Sequence, residues 1–328
     1  MQKATWYYPD PKSPLTESEI KEMEKCGLKT IFCEASDEQA LINLHNMVGS
    51  RLDVHGEFGL EKLYNNAFGA PPPESKPLNP ATYIALFPDG QKPYSLSCWS
   101  AVTDPSPMAE WLRAFLKRHP YLKGINMDFV RYWNTVFFKD NPCNCNGCRS
   151  RRKPWLGHDL LTAGDERDPS IAYMEVKSKI EVMTRITSAL SKAAHDSGIE
   201  FSIDPRAVFS GRDTEFDSPP TWGYGPAIYE GQDWVAWCRE GMLDSIHIMN
   251  YTTDVARFKR LAEQHQTLLF GSSAQIFEGI GIASSAGKMS PKTFERQLEI
   301  VRSLKFAGVT LFSWEATSKE HREILARA

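Results

Sequence analysis

The sequence predicts a closed (β/α)8 barrel of parallel strands, and three observations predict it. Eight short β-branched or aromatic runs recur along the chain, helix-period segments separate them, and 328 residues suit one decorated barrel. The runs lie at 4–8, 29–33, 51–57, 124–130, 200–203, 245–249, 267–270 and 309–313. A doubly wound open sheet is the alternative, but no Gly-rich phosphate turn follows the first run. Gly279-Ile-Gly-Ile-Ala is a weak match to such a turn, far from the position that it would need. The expected organisation is one catalytic barrel domain over 1–328.

The segments between the runs carry helix start and stop chemistry. Thr16-x-x-Glu19 and Ser36-x-x-Gln39 read as capping boxes, and Gly27 suits the position after the first helix. Ser106-Pro107, Asp168-Pro169 and Ser290-Pro291 each pair an N-cap with proline at the first helical position. Ile171, Met174, Ile180, Met183, Ile186, Leu190 and Ala193 form one apolar stripe at helical period, which Gly198 ends. Three connections, 58–105, 133–169 and 205–232, are too long for turns. All three leave the carboxyl ends of strands, where barrels of this kind assemble their sites.

Composition removes several function classes. Hydrophobic residues at 41% and charged residues at 24% are ordinary for a globular chain. A net charge of −3 offers no field to gather nucleic acid or an anionic membrane. No apolar run approaches the roughly 20 residues of a membrane span. The first residues, Met-Gln-Lys-Ala-Thr-Trp-Tyr-Tyr, hold no signal-peptide core. A leader trimmed earlier would leave the same sequence, so cytoplasmic and exported or periplasmic locations both stay open. No Gly-x-Ser-x-Gly elbow accompanies Ser97, Ser100 or Ser313, which disfavours serine-hydrolase chemistry. No organic cofactor is expected, and the sequence is silent on oligomeric state.

Acids cluster at the predicted strand ends: Glu34, Glu57, Asp128, Asp204 and Glu315, with Asp254 just beyond Tyr251. An acid after an apolar strand is costly to bury unless it is paired or used. Cleaving a glycosidic bond needs two carboxyl groups, one a proton donor and the other a nucleophile or base. It also needs flat apolar surfaces, which Trp6, Tyr8, Trp99, Tyr132, Trp133, Tyr251 and Trp314 could supply. His55 and His247 alternate with apolar neighbours and could face the mouth. Along Gly124-Ile-Asn-Met-Asp-Phe-Val-Arg-Tyr-Trp133, period two turns Asn126, Asp128 and Val130 the same way. Arg131 follows closely enough to pair with the Asp128 carboxylate and hold it ionised. A purely structural Asp128–Arg131 pair that fastens the loop is the plainer alternative.

That segment resembles the strand-four signature of the glycosyl-hydrolase-like barrels, predicted polysaccharide hydrolases with a Gly-(Ile/Val)-x-x-Asp-(Tyr/Phe)-(Ile/Val)-Arg-Tyr motif. Leu243-Asp-Ser-Ile-His-Ile-Met-Asn-Tyr-Thr252 is similar to the strand-six motif of that family, and Gly308-Val-Thr-Leu-Phe-Ser-Trp314 to its strand eight. The resemblance implies a catalytic Asp128, with Asn250 and Tyr251 as sugar contacts. The partner acid rests on physical argument alone: Glu315, beside Trp314 and Phe312 in an expected desolvated setting, or Asp204. Asn126, Glu57, His55, Trp99, Arg131, Tyr132, Trp133 and Trp314 complete the expected substrate-binding set.

Seven cysteines stand at 26, 33, 98, 143, 145, 148 and 238, and an odd count argues against a disulfide scaffold. Cys143-Asn-Cys145-Asn-Gly-Cys148 puts three thiols in one loop, a spacing suited to a tetrahedral thiolate site. Cys98 is the natural fourth ligand because loops three and four are neighbours, with Cys33 the runner-up. The cluster is similar to the structural zinc site of family-forty-two β-galactosidases, which implies zinc held by Cys98, Cys143, Cys145 and Cys148. A disulfide with a free thiol, or unligated cysteines, are the alternatives. Arg149–Lys153 reads as a solvated loop face.

The expected function is therefore glycoside hydrolysis on an oligo- or polysaccharide by two carboxylates centred on Asp128. The alternatives are a non-catalytic carbohydrate-binding barrel, or a hydrolase or lyase whose acid ring holds a divalent metal.

Overall fold

A computed structural model describes residues 1–8, 15–73, 97–132, 143–158, 161–162, 164–165, 168–209 and 227–328. Eight parallel strands close into a barrel, each beside its successor, with the last beside the first. They are β1 (Gln2–Tyr7), β2 (Thr30–Glu34), β3 (Asp53–Gly59), β4 (Gly124–Asp128), β5 (Glu200–Ile203), β6 (Ser245–Met249), β7 (Gln275–Gly281) and β8 (Gly308–Phe312). The helices around them are α1 (Glu17–Lys25), α2 (Glu38–Val48), α3 (Leu60–Phe68), α4 (Ser106–Arg118), α5 (Asn146–Leu156), α6 (Pro169–Asp196), α7 (Trp234–Arg239), α8 (Val255–Leu268), α9 (Pro291–Ser303) and α10 (Lys319–Arg327). No described helix is long and apolar enough to cross a membrane.

Strand alternation divides the apolar residues into two cores. Outward-facing Ile31, Ile125, Met127, Phe201, Ile203, Ile246, Ile248, Val309 and Leu311 join the large cluster beneath the helices. Inside the barrel, Ala4, Trp6 and Phe32 form a separate cluster capped by Phe312. Phe277 stacks on His247 at 4.7 Å, and several of the remaining inward side chains are polar and bond to one another. His247 Nδ1 lies 2.7 Å from Thr310 Oγ1 and Nε2 lies 3.1 Å from Ser245 Oγ, while Asn126 donates to Ser202 Oγ at 3.0 Å.

Seven of the eight predicted strands are present, their ends shifted by a few residues at most. The seventh is not where the sequence suggested. Thr267 and Leu268 end α8 and Phe270 is 85% exposed, so that β-like run is a helix terminus and turn. The true β7 contains Gly279 and Gly281, residues that weaken any strand reading. Close approach explains Gly279, since a Cβ there would come within 2.6 Å of the Ile248 carbonyl oxygen on β6. The Gly279-Ile-Gly stretch belongs to this strand, not to a strand-to-helix turn.

The caps predicted at Thr16, Asp168 and Ser290 are present, each side chain accepting a backbone N–H. Two others move by one residue. Asp37 caps α2 while Ser36 bonds to Glu34, and Pro105 precedes α4, which puts Ser106 inside the helix. The connection after β4 contains α5, which places the third thiol of the cysteine motif on a helix. Arg152, expected at a solvated face, is 0% exposed because Glu175 of α6 receives it at 2.7 Å.

Behind β6 and β7 lies a pair that periodicity did not reveal. His265 Nδ1 of α8 meets Glu278 Oε1 of β7 at 2.7 Å, and both side chains are 0% exposed. Burial lowers the His265 pKa, but the charge and hydrogen bond of Glu278 outweigh it and raise the imidazole above its ordinary 6.5. Removing one partner leaves a buried charge alone, so Glu278→Ala should cost about 3–5 kcal/mol. The measurement is a urea midpoint, and an unchanged midpoint would show the pair to be unimportant. Because the folded value is the raised one, this stabilisation is complete below about pH 6.5 and is lost as pH climbs through the folded value.

Candidate active site

Three neighbouring strands bring three acids to the carboxyl end of the barrel. Glu57 of β3 aligns with Asn126 of β4, two residues before Asp128, and Asp204 continues β5 with its N–H on the Met127 carbonyl at 3.2 Å. Asp128 lies at the rim and Glu57 and Asp204 lie deeper, with side chains 19% exposed for the first and whole residues 6% and 2% for the others.

Asp128 is held by the turn that follows it. Phe129 sits at φ +54°, a left-handed conformation that a bulky L-residue adopts only at a cost of about 1–3 kcal/mol. In that geometry the Phe129 N–H reaches Asp128 Oδ1 at 2.6 Å, and Arg131 Nη1 approaches the same oxygen at 3.4 Å. Two donors, one of them cationic, thus converge on a single Asp128 oxygen. Arg131 is fixed in turn by the Phe129 ring beneath its guanidinium (4.3 Å) and by buried Glu230 (3.6 Å). Glu230 also receives Arg206 at 2.7 Å.

Asp204 accepts from Trp6 Nε1 at 3.1 Å and from Asn126 Nδ2 at 2.9 Å. Burial pushes its carboxyl up, with the charges of Asp128 and Glu57 adding to that effect and the two N–H donors opposing it. Burial beside Asp128 also pushes the Glu57 carboxyl up, to about 8. Among the described residues its hydrogen-bond donor is the Tyr8 hydroxyl at 3.4 Å, and its Oε2 has no partner.

Aromatic surface at this end comes from the residues just after β1 and β6 and from the last residue of β8. Tyr8 is 37% exposed and meets Phe312 edge-on at 5.9 Å, and Tyr251 stacks on Phe312 at 5.2 Å. Burial and the nearby acids push the hydroxyls of Tyr8 and Tyr251 up, which places both rings at the acid cluster.

Several predicted contacts lie elsewhere. Trp6 is 1% exposed inside the barrel; Trp99, Tyr132 and Trp314 are at most 3% exposed. Trp99 Nε1 bonds to the Arg131 carbonyl (2.8 Å), the Tyr132 hydroxyl bonds to Ser100 (2.7 Å), and Arg322 covers Trp314 (4.4 Å). These aromatic rings brace loops and offer no open face. Asn250 is 0% exposed and donates to Glu278 Oε2 at 3.1 Å, behind the barrel wall. His55 lies deep in the interior, level with Gly124 and edge-on to Phe32; burial lowers its pKa to about 4 and keeps it neutral. His247 is likewise buried and lowered. Glu315 is exposed, contrary to the desolvation expected beside Trp314, and accepts the Tyr8 N–H at 2.9 Å. Asp254 caps α8, and Glu34 pairs with Lys62. Trp133 lies outside the described residues.

The four cysteines do converge. Cys98, Cys143, Cys145 and Cys148 are buried and unbridged, with all four sulfurs within 4.8 Å of one another. Cys98 Sγ lies 3.3 Å from both Cys145 Sγ and Cys148 Sγ. A tetrahedral ion with bonds of about 2.3 Å needs sulfurs about 3.8 Å apart, within this spread. Cys33 stays on β2, beside the carbonyl of Glu34. Among the described residues, these cysteines are the only His, Cys, Asp or Glu group whose ligand atoms meet, so the acid trio does not form such a cluster.

No family model matches the chain, and no curated protein matches it by sequence. Solved structures do resemble it. The glycoside hydrolase domain of PgaB (BpsB) from Bordetella bronchiseptica superposes with a TM-score of 0.66 at 13% identity, covering 99% of this chain and 98% of that one. The catalytic domain of β-amylase from Paenibacillus polymyxa gives 0.63 at 10%, covering 98% and 94%. A chitinase from Chromobacterium violaceum gives 0.56 at 11%, covering 99% and 97%. The structural neighbours are glycoside hydrolases that share the (β/α)8 barrel, and at these identities the likeness is one of fold.

Proposed function

We propose that the chain is a single-domain glycoside hydrolase that cleaves an oligo- or polysaccharide at the carboxyl end of its barrel. One observation carries the reading: a rim carboxylate, Asp128, stands among two buried acids, Glu57 and Asp204, beside the rings of Tyr8 and Tyr251. Glycosidic cleavage passes through a transition state with positive charge on the sugar carbon. Asp128, positioned by its two donors, faces that charge as nucleophile or stabiliser, and a protonated neighbour supplies the leaving oxygen with hydrogen. Tyr8 and Tyr251 offer flat faces to the sugar. Arg131, held by Glu230, orients Asp128. The barrel neighbours support this reading at the level of fold.

The cysteines would hold a structural zinc ion, with Cys98, Cys143, Cys145 and Cys148 as its ligands. The donor set fits. Arg151, Arg152 and Lys179 surround the thiols with one acid, Glu175, which leaves two positive charges in that shell. Four thiolates with a divalent ion carry two negative charges and balance them. Four ligands close the coordination sphere, so the ion would tie loops together and take no part in cleavage.

The test is direct incubation with α- and β-linked glucans, galactans and N-acetylglucosamine polymers, following new reducing ends and the anomer of the first product by NMR. Turnover of at least one glycan is expected. Binding without any turnover would favour a non-catalytic carbohydrate-binding barrel.

A further inference from the structure

We propose that Glu57 is the proton donor of this site, meeting the glycosidic oxygen as a neutral carboxyl group while Asp128 faces the sugar carbon as a carboxylate. The inference rests on the glycosidase reading and assigns within it a role that sequence gave to Glu315 or Asp204. A count of hydrogen-bond donors identifies the acid that keeps its proton. Asp128 accepts the Phe129 N–H and faces Arg131. Asp204 accepts N–H groups from Trp6 and Asn126. Glu34, the register partner of Glu57 on β2, has Lys62 and Ser36. Each of these three carboxyls has two donors, and donors favour the charged form.

Glu57 has one, the Tyr8 hydroxyl at 3.4 Å, and its buried Oε2 has no partner. Besides the amide of Asn126 and the Lys62-paired Glu34 on its two neighbouring strands, the groups around it are acids or weak acids: Asp128, Asp204, and the hydroxyls of Tyr8 and Tyr251. No cation among the described side chains is paired with it. Asn126, aligned with Glu57 on β4, also leaves Oδ1 without a donor. A proton on Glu57 brings the missing hydrogen into that corner. Burial and the Asp128 charge act in the same direction, raising the carboxyl to about 8. Glu315 accepts the Tyr8 N–H and is exposed, so it lacks the burial that sets Glu57 apart.

The reaction balances through this group. The bond from the sugar carbon to the leaving oxygen breaks with its electron pair on oxygen, which takes the Glu57 proton. Water then adds to the sugar carbon, and the proton it sheds restores Glu57. Glu57 thus acts first as acid and then as base.

Infrared spectroscopy of the unliganded protein locates the proton without any substrate. Asp204 is also pushed up and can carry a band of its own. The signature of Glu57 is therefore the component of the protonated-carboxyl band that is present at pH 6 and fades with a midpoint near 8. That component should vanish in Glu57→Gln and survive in Asp204→Asn. If it survives Glu57→Gln and vanishes in Asp204→Asn, the assignment is overturned. Kinetics supply the second arm. Glu57→Gln should lose roughly 10²–10⁴-fold on glycosides with alcohol leaving groups. It should lose less than about tenfold on dinitrophenyl glycosides, whose leaving group needs no proton, and the basic limb of kcat/KM should disappear. A parent that cleaves no glycoside defeats the glycosidase reading. A parent that cleaves, with leaving-group dependence unchanged in Glu57→Gln, defeats only the role of Glu57.

Discussion

Asp128→Asn is expected to reduce kcat by roughly 10³–10⁵-fold, about 4–7 kcal/mol of transition-state stabilisation at 1.36 kcal/mol per tenfold. The expectation comes from what the substitution keeps and what it removes. Asparagine has the same shape, and its carbonyl can still accept the Phe129 N–H that now reaches Oδ1 at 2.6 Å. Arg131 keeps Glu230 and the Phe129 ring, so its position does not depend on the lost charge. Only the negative charge opposite the sugar carbon disappears. Circular dichroism and the melting temperature should therefore match those of the parent, within the roughly ±0.5 kcal/mol typical of surface changes. Removing like charge beside Glu57 and Asp204 acts, if anything, toward greater stability. The same variant separates the two carbohydrate readings. A glycosidase should yield an Asp128→Asn protein that retains a glycan the parent consumes, whereas a binding barrel would treat that glycan alike in both forms. Full activity in Asp128→Asn would remove Asp128 from the chemistry and the glycosidase proposal with it.

The barrel and the acid-rich strand ends were legible because both follow from period-two alternation. Asn126 and Asp128 share a face by spacing alone, and the sequence already paired Asp128 with Arg131. What stayed hidden depends on the third dimension. β7 was missed because close contact with β6 demands glycine where strand propensity asks for branched residues. Trp99, Tyr132 and Trp314 were read as sugar platforms because sequence reports aromatic surface and not which side of a loop it faces. Glu278 was invisible for a related reason: a buried acid on an outward strand position has meaning only beside His265. The partner acid was sought first at Glu315, from apolar neighbours in sequence, with Asp204 as the other candidate; desolvation is set by neighbours in space, and those belong to Asp204 and to Glu57. The Cys98 assignment, in contrast, needed only the adjacency of loops three and four, which barrel topology supplies.

Disabling the cysteine site should cost both stability and rate, because a metal held by its four sulfurs would tie the loop after β3 to the one after β4. Cys98 and Cys148 lie 50 residues apart in sequence. Closing a loop of that length restricts the unfolded chain by about 4 kcal/mol if a metal link behaves like a covalent one. For a chain of this size such a loss lowers the melting temperature by about 6 °C. Cys98→Ser with Cys148→Ser should show that drop together with loss of bound zinc, which would be about one ion per chain in the parent. The rate effect follows from what rides on the tie. Trp99, next to Cys98, holds the Arg131 carbonyl at 2.8 Å, and Ser100 holds the Tyr132 hydroxyl at 2.7 Å. On the other side, Gly147 of α5 lies so close to Ser100 and Ala101 that a Cβ would come within 2.8 Å of their backbone. Loosening the sulfurs frees this clamp and with it the arginine that orients Asp128, so kcat should fall while far-ultraviolet circular dichroism keeps its barrel signature. Gly147→Ala probes the clamp with all four thiols intact: zinc should stay bound while kcat falls. Protein purified without chelator that holds no metal, and whose melting temperature ignores the double serine substitution, would leave these cysteines as packing residues and the clamp without its fastening.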